Sequence, residues 1–204
     1  MNASSSDFVI FDTEFTAWEG SRERQWSEPW EQRELIQIAG LRVSVNEGRL
    51  TVVKAFDELI LPIQNPELSA YIIALTGIQQ SELNARGVDF CSAIEQFWQF
   101  CGMGQIPVFS WGNDAVILQE NSHLNDIELP VFAGGIRDIR PYLRSQAIHV
   151  PAINSGHLAK TLGIQLDGNE HNALFDVRSI LSALQFWVDN KQLNIPLLLN
   201  SVSC

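Results

Sequence analysis

Phe8-Val9-Ile10-Phe11-Asp12-Thr13-Glu14-Phe15-Thr16 is the stretch from which the fold can be read. Four apolar residues run straight into two carboxylates. A short continuous apolar run reads as a buried strand. Strand side chains alternate, so Asp12 and Glu14 share a face. Two carboxylates on a buried strand lose hydration and repel each other unless something positive joins them. The simplest such partner is a hard divalent cation, which prefers oxygen ligands. Asp-x-Glu alone is short and common, and two acids at the wet end of a strand would read the same way.

The segment that follows, residues 17–30, has no clean period, contains Gly20 and Pro29, and carries Trp18, Trp26 and Trp30. It reads as a loop leaving the carboxylate strand, a place where function often sits. Bases stack on aromatic rings and phosphates pair with arginine. Trp18, Arg22, Arg24, Trp26 and Trp30 are therefore candidates for holding a strand end, and the tryptophans are equally candidates for covering the edge of the core. Residues 35–43 predict a second strand. Asn46-Glu47-Gly48 predicts a turn. Residues 50–56, running raggedly to Ile60, predict a third strand, and the three together suggest an antiparallel meander. Pro62 and Pro66 end it.

From Ser69 the chain reads as mostly helical, with a turn at Leu75-Thr76-Gly77-Ile78. Phe90, Ile94, Phe97 and Cys101 fall on one helical face and read as core packing. Residues 106–112 predict a fourth strand, 116–124 a helix, and 136–140 a short fifth strand. Residues 158–162 predict a short helix stopped by Gly163. Residues 172–190 give the strongest helical pattern, through Ala173, Val177, Ile180, Leu181, Leu184 and Val188. The tail, residues 190–204, reads as packing back on the core. Asp138 beside Arg137 and Arg140 reads as a structural ion pair, and His123, His149 and His157 as surface or capping residues.

The chain has 204 residues, which suits one domain with a core over about residues 7–185. A hydrophobic content of 46% is ample for that core. No apolar run is long enough to span a membrane, and residues 1–6 lack the features of a signal peptide. Cys91, Cys101 and Cys204 are odd in number and have no metal-type spacing, which fits a reduced, cytoplasmic setting. The net charge of −11 argues against coating long nucleic acid through a broad basic surface. It leaves open an enzyme that grips one strand end through bound metals, which supply positive charge locally.

Acidic or titratable residues thus recur where elements begin or end: Asp12 with Glu14, then Asp114, His171 and Asp176. His171 and Asp176, five residues apart at the opening of the last helix, lie about 1.4 turns apart and border one cleft. Each has a plain structural alternative: a helix N-cap for Asp114, a capping or surface histidine, a solvated helical acid. Their order is what carries the argument. Phe11-Asp12-Thr13-Glu14, Glu34-Leu35-Ile36-Gln37-Ile38-Ala39, Leu75-Thr76-Gly77-Ile78, Ser110-Trp111-Gly112-Asn113-Asp114 and His171-Asn172-Ala173-Leu174-Phe175-Asp176 together resemble the 3′–5′ exonucleases of the DEDDh class. That superfamily contains ribonuclease T, oligoribonuclease and the proofreading subunit of bacterial DNA polymerase. The Ser-Trp-Gly form is most similar to the branch that trims RNA 3′ ends, and the resemblance covers about residues 7–185.

The resemblance implies an α/β chain with a ribonuclease-H-like mixed five-stranded sheet flanked by helices. It implies two divalent metal ions, Mg²⁺ or Mn²⁺, held by Asp12, Glu14, Asp114 and Asp176, and His171 as general base. Two metals roughly 3.5–4 Å apart can clamp the attacking and leaving oxygens of an in-line displacement, and a histidine with a pKa near 6.5 suits proton removal at neutral pH. It implies a single-stranded 3′ end as partner, RNA favoured over DNA, nucleoside 5′-monophosphates as products, and a terminal nucleotide met by the backbone at Phe15 and Thr16 and bordered by Leu75 and Thr76. The chain departs from the branch in one place. Asp114 follows Asn113 directly, one residue earlier than the branch spacing, and the aromatic residue the branch often has there is missing. Two rival readings keep the fold and change the role: an exonuclease-fold module that binds without cutting, and a nuclease subunit of a larger assembly.

Overall fold

The computed structural model describes residues 7–200. The N-terminal residues 1–6 and residues 201–204 of the tail, Cys204 among them, lie outside the described residues. Strand β1 (Asp7–Phe15) pairs antiparallel with β2 (Leu35–Asn46), and β2 with β3 (Arg49–Leu59). The β2–β3 hairpin turns on Glu47 and Gly48, both at positive φ (49° and 80°), the two-residue turn whose twist suits a hairpin. Strands β4 (Val108–Ser110) and β5 (Ile136–Asp138) continue the sheet in parallel on the other side of β1, giving the order β3-β2-β1-β4-β5. This is the expected mixed five-stranded sheet.

Alternation along β1 sorts its residues between two layers. Phe8 and Ile10 pack with Val177, Ile180 and Leu184 of helix α7 (Ala173–Asp189). Val9 and Phe11 pack with Ile94 and Phe97 of α3 (Phe90–Phe100) and with Ile117 and Leu118 of α4 (Asp114–Leu124). Both layers bury large side chains completely, each worth about 1.5–3 kcal/mol. Continuing the parity, Asp12 and Glu14 point toward the α7 layer and Thr13 toward the α4 layer. A third, smaller cluster holds α1 (Ala70–Thr76) and α2 (Gln80–Arg86) against Ile36 and Leu59. Ser69 caps α1 through its hydroxyl, and Gly77 at φ 79° ends it, which is why the helical reading breaks at Leu75-Thr76-Gly77-Ile78.

Several elements differ from the sequence expectation. β4 is shorter than residues 106–112, because Trp111 leaves the strand, packs in the α7 layer and donates its indole N–H to Ile153 O at 3.0 Å. α4 starts at Asp114, not at residue 116, and Asn113, not Asp114, occupies its N-cap position. The fifth strand stops at Asp138, and Arg140 opens α5 (Arg140–Ser145), with Pro141 in the first turn. A single 3-10 turn (Ser155–His157) leads into α6 (Leu158–Thr161). The tail forms α8 (Ile195–Asn200), and Leu193 and Ile195 are buried in the α7 layer. Asp138 and Arg140 form an ion pair at 2.9 Å, as read from the sequence. Cys91 is exposed and Cys101 buried, both free, and no helix among the described residues is long and apolar enough to cross a membrane.

Candidate active site

β1 extends past the last paired residue of β4, so its end forms one wall of an open cleft. Crevices beyond the carboxyl ends of parallel strands are where sheets of this kind place ligands. The register of β1 on β2 shifts between Glu14 and Phe15, a bulge at the mouth of that crevice. The cleft encloses about 620 Å³. Asp12, Glu14, Asp114, His171 and Asp176 all line it, as do Phe15, Trp18, Arg22, Trp26 and Leu75.

The structure brings three of the four acids to one point. One carboxylate oxygen each from Asp12, Glu14 and Asp176 lies within 4.8 Å of the other two, and all three residues are buried. Asp176 comes from the first turn of α7, which packs on the face of β1 that carries Asp12 and Glu14. Asp114 approaches from the opposite layer, at the start of α4. Its Oδ1 accepts the Thr13 hydroxyl at 2.7 Å, and it stands beside the cluster rather than within it.

The electrostatics match this crowding. Burial, and then the charges of Asp114, Asp176 and Glu14, push the Asp12 pKa well above the ordinary carboxylate value. Burial, then Asp176 and Asp114, does the same to Glu14. Asp114 is raised by burial against hydrogen bonds from Thr13 and Ser110. Asp176 is raised to about 6 by burial, against hydrogen bonds from Ser155 and the N–H groups of His171 and Gly156. Among the described residues no lysine or arginine forms an ion pair with any of these four carboxylates. A cluster of oxygen ligands whose charge is uncompensated fits hard divalent cations such as Mg²⁺ or Mn²⁺.

His171 does not open α7. It sits before the Asn172 N-cap with φ at 63°, and its backbone N–H donates to Asp176 Oδ1 at 3.3 Å. The left-handed residue turns the chain so that the imidazole and Asp176 face one cleft. The imidazole is half-buried, and burial, then the charges of His157 and Arg22, lower its pKa against the pull of Glu170.

The four expected nucleotide contacts divide. Phe15 and Leu75 line the cleft. Thr16 and Thr76 do not. Thr16 is buried, donating its hydroxyl to Gln32 O and accepting the Glu34 N–H at 3.0 Å, so it knits the loop to β2. The Thr76 hydroxyl donates to Ile72 O and accepts the Ile78 N–H, closing α1 beside a separate cavity of about 280 Å³. In the tryptophan loop, Trp26 packs on Phe15 with ring centroids 5.6 Å apart, and the Arg33 guanidinium lies over the Trp26 ring, 5.6 Å from its centroid. Arg24 is committed to Glu31 at 2.5 Å, and Trp30 is exposed away from the cleft. Two residues escaped the sequence reading: Thr13, on the far face of β1, and Ser155, whose hydroxyl lies 3.1 Å from Asp12 Oδ1 and 2.9 Å from Asp176 Oδ2.

Known exonucleases resemble this chain in sequence and in fold. The exonuclease family RNase_T matches residues 9–184. The 3′–5′ exonuclease Snipper of Drosophila melanogaster is 23% identical over 192 residues, 84% of this chain, and the chain spans 66% of the fly protein's length. The nuclease domain of 3′hExo, a DEDDh family member solved bound to rAMP, superposes with a TM-score of 0.73 at 20% identity, covering 93% of this chain and 95% of that one. Escherichia coli exonuclease I, solved with single-stranded DNA and zinc, superposes with a TM-score of 0.64 at 17% identity over 96% of this chain and 42% of its own. The fold is thus the ribonuclease-H-like fold of these exonucleases, and the chain belongs to the RNase_T exonuclease family.

Proposed function

We propose that this chain is a metal-dependent exonuclease that hydrolyses phosphodiester bonds from the 3′ end of single-stranded nucleic acid, RNA in preference to DNA, and releases nucleoside 5′-monophosphates. The observation that carries the proposal is the convergence of Asp12, Glu14 and Asp176 in an open cleft, buried and, among the described residues, without an ion pair to any lysine or arginine. Asp12, Glu14 and Asp176, with Asp114 beside them, would hold two Mg²⁺ or Mn²⁺ ions. When bound, such ions polarise the scissile phosphate and stabilise charge on the attacking and leaving oxygens.

The protein's own groups supply the rest. The His171 imidazole, its pKa lowered by burial, is neutral at neutral pH and can accept the proton of an attacking water. Its backbone N–H donates to Asp176 Oδ1, which anchors the base beside the acid cluster. Trp18, Phe15 and Trp26 give bases apolar faces to stack on, a sequence-tolerant mode of holding single strands. Arg22 on the cleft rim is placed for a phosphate. The net charge of −11 accords with gripping one end rather than a long tract. The Ser110-Trp111-Gly112 motif and the likeness to 3′hExo support RNA over DNA.

The test is turnover of 5′-labelled single-stranded RNA and DNA with Mg²⁺, with Mn²⁺ and with EDTA. A ladder shortening from the 3′ end, faster on RNA and absent in EDTA, is the expected result. Binding of either strand without shortening, in folded protein with metal present, would replace the enzyme with a binding module of the same fold.

A further inference from the structure

Ser155 lies 143 residues from Asp12 and 21 from Asp176 in sequence, yet its hydroxyl sits between their carboxylates, at 3.1 Å from Asp12 Oδ1 and 2.9 Å from Asp176 Oδ2. The residue is 8% exposed. One hydroxyl has one proton, so it donates to one of the two acids at a time and is placed to serve either. It is the one side chain among the described residues that hydrogen-bonds two members of the acid cluster.

The turn that carries Ser155 is built into the site. Gly156 approaches Asp176 so closely that a Cβ there would lie 2.5 Å from Oδ1. Its N–H is directed at the same carboxylate. Ser179, one helical turn after Asp176 and fully buried, donates to Ser155 O at 2.8 Å and accepts the Ala159 N–H at 3.0 Å. α7 therefore presents Asp176 and Ser179 on one face, and between them they fix the backbone on which Ser155 stands. A loop residue held this firmly, with its hydroxyl between two acids of different elements, has a defined task.

We infer that Ser155 is a positioning residue of the metal site, setting the relative orientation of the Asp12 and Asp176 carboxylates so that β1 and α7 offer their oxygens to the same cation. The inference rests on the proposed metal-dependent function. Groups that hydrogen-bond metal ligands from behind orient them, and their loss costs about 10–100-fold in metal affinity.

The experiment is calorimetric titration of Mn²⁺ into the whole chain without nucleic acid, for the wild type, Ser155→Ala and Ser155→Thr, with melting in EDTA as the check on folding. Ser155→Ala should melt close to the wild type in EDTA and bind Mn²⁺ about tenfold more weakly or worse. Ser155→Thr, which keeps the hydroxyl, should recover most of the affinity. In turnover, the alanine variant should need more metal for half-maximal rate while KM for the oligonucleotide holds. A folded alanine variant that binds Mn²⁺ as tightly as the wild type overturns the inference. Ser155→Gly puts the same question if the alanine variant does not fold. A wild type that binds no Mn²⁺ overturns the proposed function itself, a result distinct from equal binding by wild type and variant.

Discussion

Two sets of buried carboxylates stand within the same chain, and they are treated in opposite ways. Glu34, 2% exposed, accepts the N–H groups of Ile63, Gln64 and Asn65, each at 2.7 Å, and the Asn65 amide at 3.0 Å. Glu31, 3% exposed, accepts the Ser21 hydroxyl and Arg24, both at 2.5 Å. Burial alone would raise its pKa, but those donors and the Glu28 N–H hold it below the ordinary value. Asp12, Glu14 and Asp176 instead crowd one another, with Asp114 beside them, and all four are raised. Glu31 and Glu34 fasten the loop and the β3–α1 connection. The few donors to the cluster, among them the Thr13 and Ser155 hydroxyls, do not offset its burial and mutual repulsion, and no lysine or arginine among the described residues pairs with it, so its negative charge is left for something that arrives from outside.

The comparison breaks most sharply on removal of one charge from each set. Asp12→Asn should lower turnover by about 10³-fold or more. In EDTA near pH 8 it should melt no lower than the wild type, because one of several repelling charges is gone. Rate assays and melting curves on the same preparation check both halves. Glu34→Gln should do the reverse. It sets an amide among buried N–H donors and should cost about 3 kcal/mol, a fall of roughly 6–12 °C in Tm for a chain of this size. Its activity per folded molecule at low temperature should hold.

The two sets also carry opposite pH dependence. The Asp176 pKa rises from 3.8 to about 6 on folding. Its contribution to stability is therefore full at acid pH below its unfolded value and is lost as pH rises through about 6. Glu31 is lowered on folding, so its contribution is present above its unfolded value of 4.5 and lost as pH falls. Metal-free wild type should lose this contribution between about pH 4 and pH 6, and Asp176→Asn should flatten that loss, as melting in EDTA across the range would read. The smallest effect is expected at Thr13. Thr13→Val strips Asp114 of its 2.7 Å donor, and turnover should fall about tenfold, the size of one hydrogen bond to a charged group, with Tm nearly unchanged.

Local rules put Asp12 and Glu14 on one face, but Asp176 joined them only through the family-like order of the motifs. Strand alternation is the rule for the pair, and helical periodicity carries Asp176 into the start of α7. The meander and the two later strands were read from pattern, and the resemblance supplied their union in one mixed sheet. Thr13 was hidden by the same alternation, since its value depends on which layer α4 joins. Ser155 was hidden because nothing within a small polar turn tells that the fold will carry it to Asp12. Thr16 and Thr76 sit where the resemblance expects nucleotide contacts, yet their hydroxyls complete local backbone bonds. Helix α5 escaped because it is short and begins on Arg140 and Pro141, next to a strand pattern.

Melting of the wild-type chain near pH 8, in EDTA and again in excess Mn²⁺, tests most directly whether the cluster is a cation site. A ligand that binds only the folded state raises its stability in proportion to the logarithm of its concentration over Kd. A rise in Tm that grows with Mn²⁺ and is abolished in Asp12→Asn is the result expected here. Superimposable curves with and without metal would mean that the four acids tolerate their burial unaided, and would contradict the account.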